Sequence, residues 1–411
     1  MNVVVAPRAA FEHRDFRFYL SARFLSNVGT QIMSVAVAWQ VYAITHRAID
    51  LGYVGLAQFV PAFGFSTAAG QLADRVDRAR ILATCSLVLA GCALALFAIS
   101  REATHTVFPI YVVLFFVGVA RSFSGPAGQS LLPSLVPQAH FPNAVAWGST
   151  VWQVSTIVGP SLGGVLYGAG PTWVYGVCAS LLVTASMLVF AIPKHAIARQ
   201  SDEGEKESVS WETVLAGFRY VRDHRVILGS VSLDLFAVLL GGATALLPIY
   251  ASDYLHVGPT GLGVLRSAPA VGAAAMAIAL AYRPLARRAG VTMLTSVAIF
   301  GVATIVFGLS RSFGVSLVAL AVLGASDMVS VMVRSTVVQL RTPPEMRGRV
   351  SAVNTMFIVA SNELGEFESG ITAAWFGPVA AVVIGGVGSV VVVALYALFF
   401  PELRKIDRLD D

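Results

Sequence analysis

The sequence predicts an all-α membrane protein with about twelve transmembrane helices in two pseudo-symmetric six-helix bundles. Three observations lead to this prediction. Of the 411 residues, 56% are hydrophobic, and the mean hydropathy is +0.75. Charged residues make up 12% of the chain, against roughly 25% in an ordinary soluble domain, whose surface needs charge. The third observation is an internal repeat, because residues 135–149 align with residues 340–354.

The spanning segments follow from the thickness of the bilayer, since a hydrocarbon core of about 30 Å takes roughly 20 helical residues. The apolar run behind the charged N-terminal segment is too long for the core of a cleavable signal peptide, so we expect it to be retained as the first span. Apolar runs of suitable length lie near residues 18–43, 51–72, 80–99, 107–131, 144–168, 172–192, 226–250, 260–281, 291–309, 313–338, 350–373 and 377–399.

The orientation follows from lysines and arginines in the loops. One set of alternate loops carries only Arg47, Arg101 and Arg311. The other set and the two termini carry the remaining basic residues outside the spans, so this side is cytoplasmic and both termini are inside. The net charge of +5 therefore reflects topology and does not indicate a nucleic-acid site.

The chain divides at its largest hydrophilic interruption into an N-terminal bundle (1–192), a cytoplasmic linker (193–225) and a C-terminal bundle (226–411). Residues 200–208 have the composition of a solvated linker. The rest of the linker is amphipathic, which fits either a helix on the inner membrane surface or a cytoplasmic extension of span seven. Two repeats of equal orientation place a substrate site near mid-membrane, between the halves.

Carboxylates within predicted spans are the strongest functional signal, because charge at that depth is costly and usually serves a function. They are Asp234, Asp327, Glu363, Glu366 and Glu368. We expect them to carry protons or contact substrate; the alternative for each is a structural ion pair. That alternative is strong for Asp327, which shares a helix face with Arg334 seven residues on. Asp234 has no such partner nearby in sequence and is the first choice for coupling.

The three glutamates of span eleven cannot all face one cavity from a straight helix. At 100° per residue, Glu363 and Glu366 lie within about 60° of each other, whereas Glu368 lies about 140° from Glu363. Either Gly365 breaks the helix, or Glu366 and Glu368 lie near the outer mouth. Glu363 is the deepest of the three, and we choose it as the second coupling carboxylate.

The loop after span two combines a glycine, an aspartate and alternating arginines. An aspartate there can approach a helix N-terminus while the arginines bind carboxylates or carbonyls, which predicts a charge latch. The alternative is a short polar turn that obeys the positive-inside rule. The proposed latch residues are Gly70, Asp74, Arg75, Arg78 and Arg80.

Two further motifs lie within spans. In span five, small residues around a proline predict close helix packing and a bend; they are Gly159, Pro160, Gly163 and Gly164. Ordinary small-residue packing is the alternative. In span four, Arg121 needs a partner or water at its depth. It can tune a nearby carboxylate or meet an anionic substrate, or it can simply lock two helices together.

These motifs resemble those of the major facilitator superfamily. Residues 70–80 are similar to its loop signature, with Asp77 in place of the second glycine, residues 159–164 to its antiporter motif, and residues 121–125 to its proton-antiporter arginine motif. The whole chain resembles the enterobactin-exporter branch, on residues 21–26, 70–80, 215–219, 347–350 and 362–370. The resemblance implies a bacterial inner-membrane exporter of a siderophore or other amphiphile that exchanges its cargo for protons.

The sequence contains no ATP-binding loop, metal-ligand cluster or nucleophile triad. We therefore expect a monomeric transporter and not an enzyme, with no cofactor or metal, whose partners are a small-molecule substrate, protons and the lipid bilayer. Its cysteines lie in apolar runs and are expected to be small core residues. The alternatives are an inward facilitator or symporter of a nutrient or metal chelate, and a non-transporting membrane sensor on the same scaffold.

Overall fold

Long helices joined by short connections form the chain wherever the structure describes it. The computed structural model describes residues 8–65, 68–70, 72, 76–102, 106–193, 211–283 and 288–407, and there is no β-strand within these ranges. Helices follow from the apolar runs because hydrocarbon offers no water to the backbone, and a helix satisfies its own N–H and C=O groups.

The helices of the first half begin and end where the sequence supplies the signals. A proline lies in the first turn of α4, α5 and α6, where its missing N–H costs nothing. A short 3₁₀ turn, Gln138–His140, precedes α5. The six helices are α1 (Arg14–Thr45), α2 (Ala48–Gly64), α3 (Arg78–Arg101), α4 (Phe108–Leu135), α5 (Phe141–Ala169) and α6 (Pro171–Phe190).

The second half contains one long helix that changes character along its length. After α8, the chain continues through a 3₁₀ turn (Ala243–Leu246), a short helical turn (Leu247–Ile249) and a π-helical turn (Tyr250–Tyr254). The helices are α7 (Trp211–Asp223), α8 (Arg225–Leu240), α9 (Gly258–Tyr282), α10 (Ala289–Leu309), α11 (Phe313–Arg341), α12 (Pro344–Phe376), α13 (Pro378–Phe399) and α14 (Pro401–Arg404).

Each half of the chain contains the same kind of glycine turn between two helices. Gly170 joins α5 to α6 with φ 130°, and Gly377 joins α12 to α13 with φ 86°. Both conformations lie in the region that only glycine adopts without strain, and a proline follows each glycine to begin the next helix. The matching turns agree with the internal repeat in the sequence.

Eight helices in the described part of the chain are long and apolar enough to cross a membrane: α3, α4, α6, α8 with its continuation to Tyr254, α9, α10, α11 and α13. The remaining predicted spans coincide with α1, α2, α5 and α12. These four helices are shorter or more polar; α12, for example, carries Glu363, Glu366 and Glu368. The all-α membrane architecture is confirmed, and the helices are consistent with twelve spans.

The amphipathic part of the linker is a separate helix. His224 has extended backbone dihedrals (φ −109°, ψ 97°) and ends the helical path between α7 and α8. The alternative of a continuous extension of span seven is therefore wrong. Val221 of α7 is buried against Ile227, Val350 and Val353, which anchors α7 beside α8 and α12. Residues 200–208 lie outside the described residues.

The chain forms two compact units. The first consists of Met1–Gln40 and Val60–Val209. Its core lies where α1, α3, α4 and α6 meet, around Phe16, Leu131 and Val189. The three cysteines are free and buried within this unit.

The second unit consists of Val41–Phe59 and Ser210–Asp411. Its main core joins α8, α10 and α11 through Leu233, Met293 and Val333. The first part of α2, up to Phe59, belongs to this unit and packs on α12, because a Cβ atom at Gly370 would lie 2.7 Å from the Cα atom of Gly52. Only glycines allow two helices to approach so closely. The assignment of six helices to each bundle stays a prediction.

Candidate functional site

An ion pair is buried among the spanning helices of the second unit. Asp234 of α8 and Arg334 of α11 bond to each other, and the two residues are 5% and 3% exposed. Two charges are removed from water together here, which is tolerable only because they neutralise each other. Asp234 therefore has a partner, which its sequence neighbourhood did not indicate.

The sequence favoured an ion pair between Arg334 and Asp327, and the structure shows that Arg334 pairs with Asp234 instead. Residues seven apart on a helix share a face, but they lie about 10 Å apart along the axis. Side chains in direct contact on one helix are normally three or four residues apart. The neighbouring helix α8 offers Asp234 instead, and Asp327 has no ion-pair partner among the described residues.

Asp327 and Asp234 nevertheless belong to one site, because both line a small cavity between α8, α10 and α11. The volume of this cavity is about 10 Å³. Its lining consists of Asp234, Ala237, Val238, Val297, Phe300, Ser326, Asp327 and Ser330. With both carboxyls ionised, these side chains and Arg334 carry one net negative charge. The structure thus collects two aspartates, one arginine and two hydroxyls, which we call the α8–α11 cluster.

The glutamates of α12 have separate surroundings. Helix α12 is continuous from Pro344 to Phe376, so the first of the two alternatives, a break at Gly365, is wrong. Gly365 instead allows close packing on α8, because a Cβ atom there would lie 3.0 Å from the carbonyl oxygen of Leu239. Glu368 accepts a 2.7 Å hydrogen bond from the hydroxyl of Thr372 on its own helix.

Glu366 lies against α2. A Cβ atom at Gly55 would be 3.0 Å from a carboxylate oxygen of Glu366 and 3.2 Å from the carbonyl oxygen of Glu363. This contact occurs within the second unit, beside the Gly52–Gly370 approach. Glu366 therefore belongs to a close helix–helix contact, and Glu363 lies half-buried one turn before it on α12.

The motif of span five forms a packing surface in the first unit. A Cβ atom at Gly159 would lie 2.5 Å from the Cβ of Gln31, and one at Gly163 would lie 3.0 Å from the carbonyl oxygen of Ile32. The glycines thus bring α5 against α1, with Pro160 inside the continuous helix α5 and Gly164 buried next to Gly163. Arg121 is exposed on α4, and its backbone carbonyl accepts a hydrogen bond from Ser124.

The structure describes part of the loop signature, residues 70–80. Asp74 and Arg75 lie outside the described residues. Asp77, which replaces the usual glycine, caps α3 by accepting hydrogen bonds from the backbone N–H groups of Ala79 and Arg80 at 3.0 and 3.4 Å. Arg78 donates to the carbonyl oxygen of Ser130 on α4 at 3.0 Å. Gly70 is half-buried, and Arg80 is exposed beside Asp77.

Sequence reasoning missed four polar residues of the second unit. Ser326 and Ser330 are four residues apart and flank Asp327 on one helix face, a spacing that is readable in the sequence. Tyr42 donates a 2.5 Å hydrogen bond to Asp253. No local pattern joins these two residues, because 211 positions separate them.

The helical membrane fold of this chain is shared with solved transporter structures. Among solved structures, a bacterial homologue of the human lysosomal transporter Spinster, inward-facing and unoccupied, gives a TM-score of 0.73 at 13% identity, covering 95% of this chain and 96% of the other. The nucleoside transporter NupG gives a TM-score of 0.69 at 16% identity, covering 93% and 99%. At these identities the likeness shows the shared fold.

The family model for transmembrane secretion effectors of the major facilitator superfamily matches residues 5–411. The chain belongs to this family and is a transporter. It is 28% identical to the enterobactin exporter EntS of Citrobacter koseri over 406 residues, which cover 96% of this chain and 93% of that protein. It is 27% identical to EntS of Shigella boydii over the same coverage. The resemblance to major facilitator transporters of the enterobactin-exporter branch is therefore confirmed.

Proposed function

We propose that this chain exports an amphiphilic small molecule of the siderophore class from the cytoplasm in exchange for protons, by alternating access. Similarity to enterobactin exporters along nearly the whole chain supports the direction and the substrate class. The sequence has no ATP-binding loop, so energy comes from an ion gradient or from the substrate's own gradient; we propose the proton gradient.

The observation that supports proton coupling is that the α8–α11 cluster contains a third ionisable group, Asp327, beside the ion pair. Asp234 and Arg334 neutralise each other, so the ionisation of Asp327 decides whether the cluster is neutral or negative. A net charge at this depth is costly without water. A conformation that closes the site to water therefore favours a proton on Asp327, and a conformation open to water permits its release. Proton binding is thereby linked to the conformational cycle.

The test uses inverted membrane vesicles with an acidic lumen and labelled enterobactin as the probe. The native protein is expected to accumulate the probe, and a protonophore is expected to abolish accumulation. Asp327→Asn keeps the cluster neutral, so accumulation is lost while downhill exchange continues. Asp223→Asn serves as the control, because Asp223 is an exposed carboxylate at the end of α7.

Three results would contradict the proposal. Normal accumulation by Asp327→Asn would place coupling outside the cluster. Accumulation by the native protein only when the lumen is alkaline would indicate a proton symporter. Loss of both accumulation and downhill exchange in correctly folded Asp327→Asn would show that the residue serves transport generally and not coupling.

The other sequence-derived roles stay proposals. We propose Glu363 as a second proton or substrate carboxylate, with Glu366 and Glu368 nearer the outer mouth and Arg121 as an electrostatic partner for substrate. We also propose that the loop signature latches the inner side. Glu363→Gln should raise the KM for the probe if Glu363 contacts substrate; an unchanged KM and unchanged coupling would remove it from the site.

We also propose the predicted orientation, with both termini in the cytoplasm of a bacterial inner membrane. The scarcity of basic residues in one set of loops supports it. A fluorescent protein that matures only in the cytoplasm, fused after residue 411, should be bright. Alkaline phosphatase fused at the same position should be inactive, and the opposite pair of results would reverse the topology.

A further inference from the structure

The lining of the α8–α11 cavity is polar. Ser326 is 6% exposed and Ser330 is 3% exposed. Both line the cavity together with Asp234 and Asp327. Leaving a buried polar group without a hydrogen-bond partner costs about 1–3 kcal/mol. Two hydroxyls and two carboxyls around one cavity therefore favour an occupant that can form hydrogen bonds.

The size and chemistry of the cavity define this occupant. A volume of about 10 Å³ is just sufficient for one water molecule, which needs two to four polar partners. The hydroxyls of Ser326 and Ser330 can donate to its oxygen. Its two hydrogens can be donated to the carboxylates of Asp234 and Asp327. The donors and acceptors balance, since a carboxylate only accepts and a serine hydroxyl can donate.

We propose that this cavity holds one water molecule that relays a proton between Asp327 and Asp234, with Ser326 and Ser330 as the positioning residues. This inference rests on the proposed proton coupling. In the relay, one serine hydroxyl rotates away and frees a lone pair of the water oxygen, and the O–H bond of protonated Asp327 breaks as this lone pair gains that proton. A different O–H bond of the water breaks as Asp234 gains the proton, so the negative charge moves from Asp234 to Asp327.

The relay has a mechanical consequence for the helix pair. Protonated Asp234 is neutral, so the charge attraction that joins it to Arg334 is lost. The only direct ion pair between α8 and α11 among the described residues is then released. Proton arrival at Asp327 thus becomes a change in how firmly α8 is held against α11.

The residues around the cavity leave Asp234 and Asp327 as the groups that can exchange the proton. They are the only ionisable residues in the lining. Helix α10 contributes only Val297 and Phe300 and has no ionisable residue along Ala289–Leu309. Helix α9, packed on α11, contains Arg266, and α12 carries the three glutamates beyond the lining. Arg334 from α11 is the cation that faces Asp234.

The experiment compares coupled and downhill transport of labelled enterobactin in inverted vesicles. The test variant is Ser326→Ala combined with Ser330→Ala, and the control is Ser335→Ala. Ser335 lies on the same helix and donates to the carbonyl oxygen of Met332 on that helix. The double variant should accumulate the probe at least about tenfold more slowly, because a positioned proton-transfer group contributes a factor of that order or more. Its downhill exchange should match the native rate.

A pH profile supplies the second readout. The coupled rate of the native protein should rise as the lumen is acidified, whereas the double variant should respond weakly. Each single variant keeps one hydroxyl and should lie between them. If the double variant does not fold, Ser330→Ala carries the same comparison.

The outcomes separate this inference from the proposed function. If the native protein couples and the double variant couples equally well, the relay is wrong and proton-coupled export stands. If coupled and downhill rates fall together, the serines only maintain structure and the relay is wrong. If the native protein shows no coupling to the pH gradient, the proposed function fails and the relay fails with it.

Discussion

Removing Asp234 and removing Arg334 are different perturbations, although the two residues form one ion pair. Breaking a buried pair typically costs about 3–5 kcal/mol, because an uncompensated charge remains. Asp234→Ala leaves a guanidinium, which stays charged at any pH a protein tolerates. Arg334→Met leaves a carboxyl, which can become neutral by taking up a proton. The second variant should therefore regain stability in acid, and the first should not.

The expected size of this difference follows from proton linkage. Each unit of pH changes the free-energy cost of keeping a carboxyl protonated by about 1.4 kcal/mol. Lowering the pH by two units should thus raise the free energy of unfolding of Arg334→Met by about 2.7 kcal/mol. The double variant, Asp234→Asn with Arg334→Met, should recover most of the loss at both pH values, because both members of the buried ion pair become neutral together and Asp327, the remaining ionisable residue of the cluster, can become neutral by holding a proton.

The assay is the fraction of folded protein after heating in detergent, measured by size-exclusion chromatography at about pH 7.5 and about pH 5.5, two units apart. The control is Asp223→Ala, which removes a partner from the exposed Arg222–Asp223 pair, in which the charged atoms lie 3.2 Å apart. Exposed pairs contribute about 0–1 kcal/mol. Equal pH responses of Asp234→Ala and Arg334→Met would refute the reasoning, as would a double variant no more stable than Asp234→Ala.

Three further predictions concern packing, capping and burial. Gly370→Ala should lower thermal stability, because its Cβ would lie 2.7 Å from the Cα of Gly52; Gly348→Ala, with no neighbour within 4 Å on the same helix, should be neutral or stabilising. Asp77→Ala should cost about 1 kcal/mol through the lost cap of α3, whereas Asp77→Asn should retain stability in the same heating assay. A maleimide should label the native protein little and the denatured protein fully, since its thiols are buried; labelling of native protein would contradict the packing of Cys85, Cys92 and Cys178.

Local chemistry makes the helical architecture predictable. Hydropathy over about 20 residues reports whether a segment can lie in hydrocarbon, and this depends on no distant contact. The turns after α5 and α12 each depend on a glycine followed directly by a proline, so these turns can be recognised from the amino-acid sequence alone. The identity of the acids within spans is readable for the same reason.

The partners of those acids depend on packing. Arg334 pairs with Asp234, which is 100 positions away in sequence, because α8 lies beside α11. Gly365 suggests a break in α12, yet it provides the surface on which α8 approaches. In the motif Asp77 is only a departure from the family pattern, whereas in the fold it caps α3.

The order of residues is enough to establish which side chains enter the membrane and which of them carry charge. That Asp234, Asp327, Ser326 and Ser330 line one cavity of about 10 Å³ depends instead on how the helices pack. The physical reason is distance. Hydropathy acts along one helix, whereas a hydrogen bond or ion pair needs atoms within about 3–4 Å, and the packing of helices far apart in sequence sets that separation.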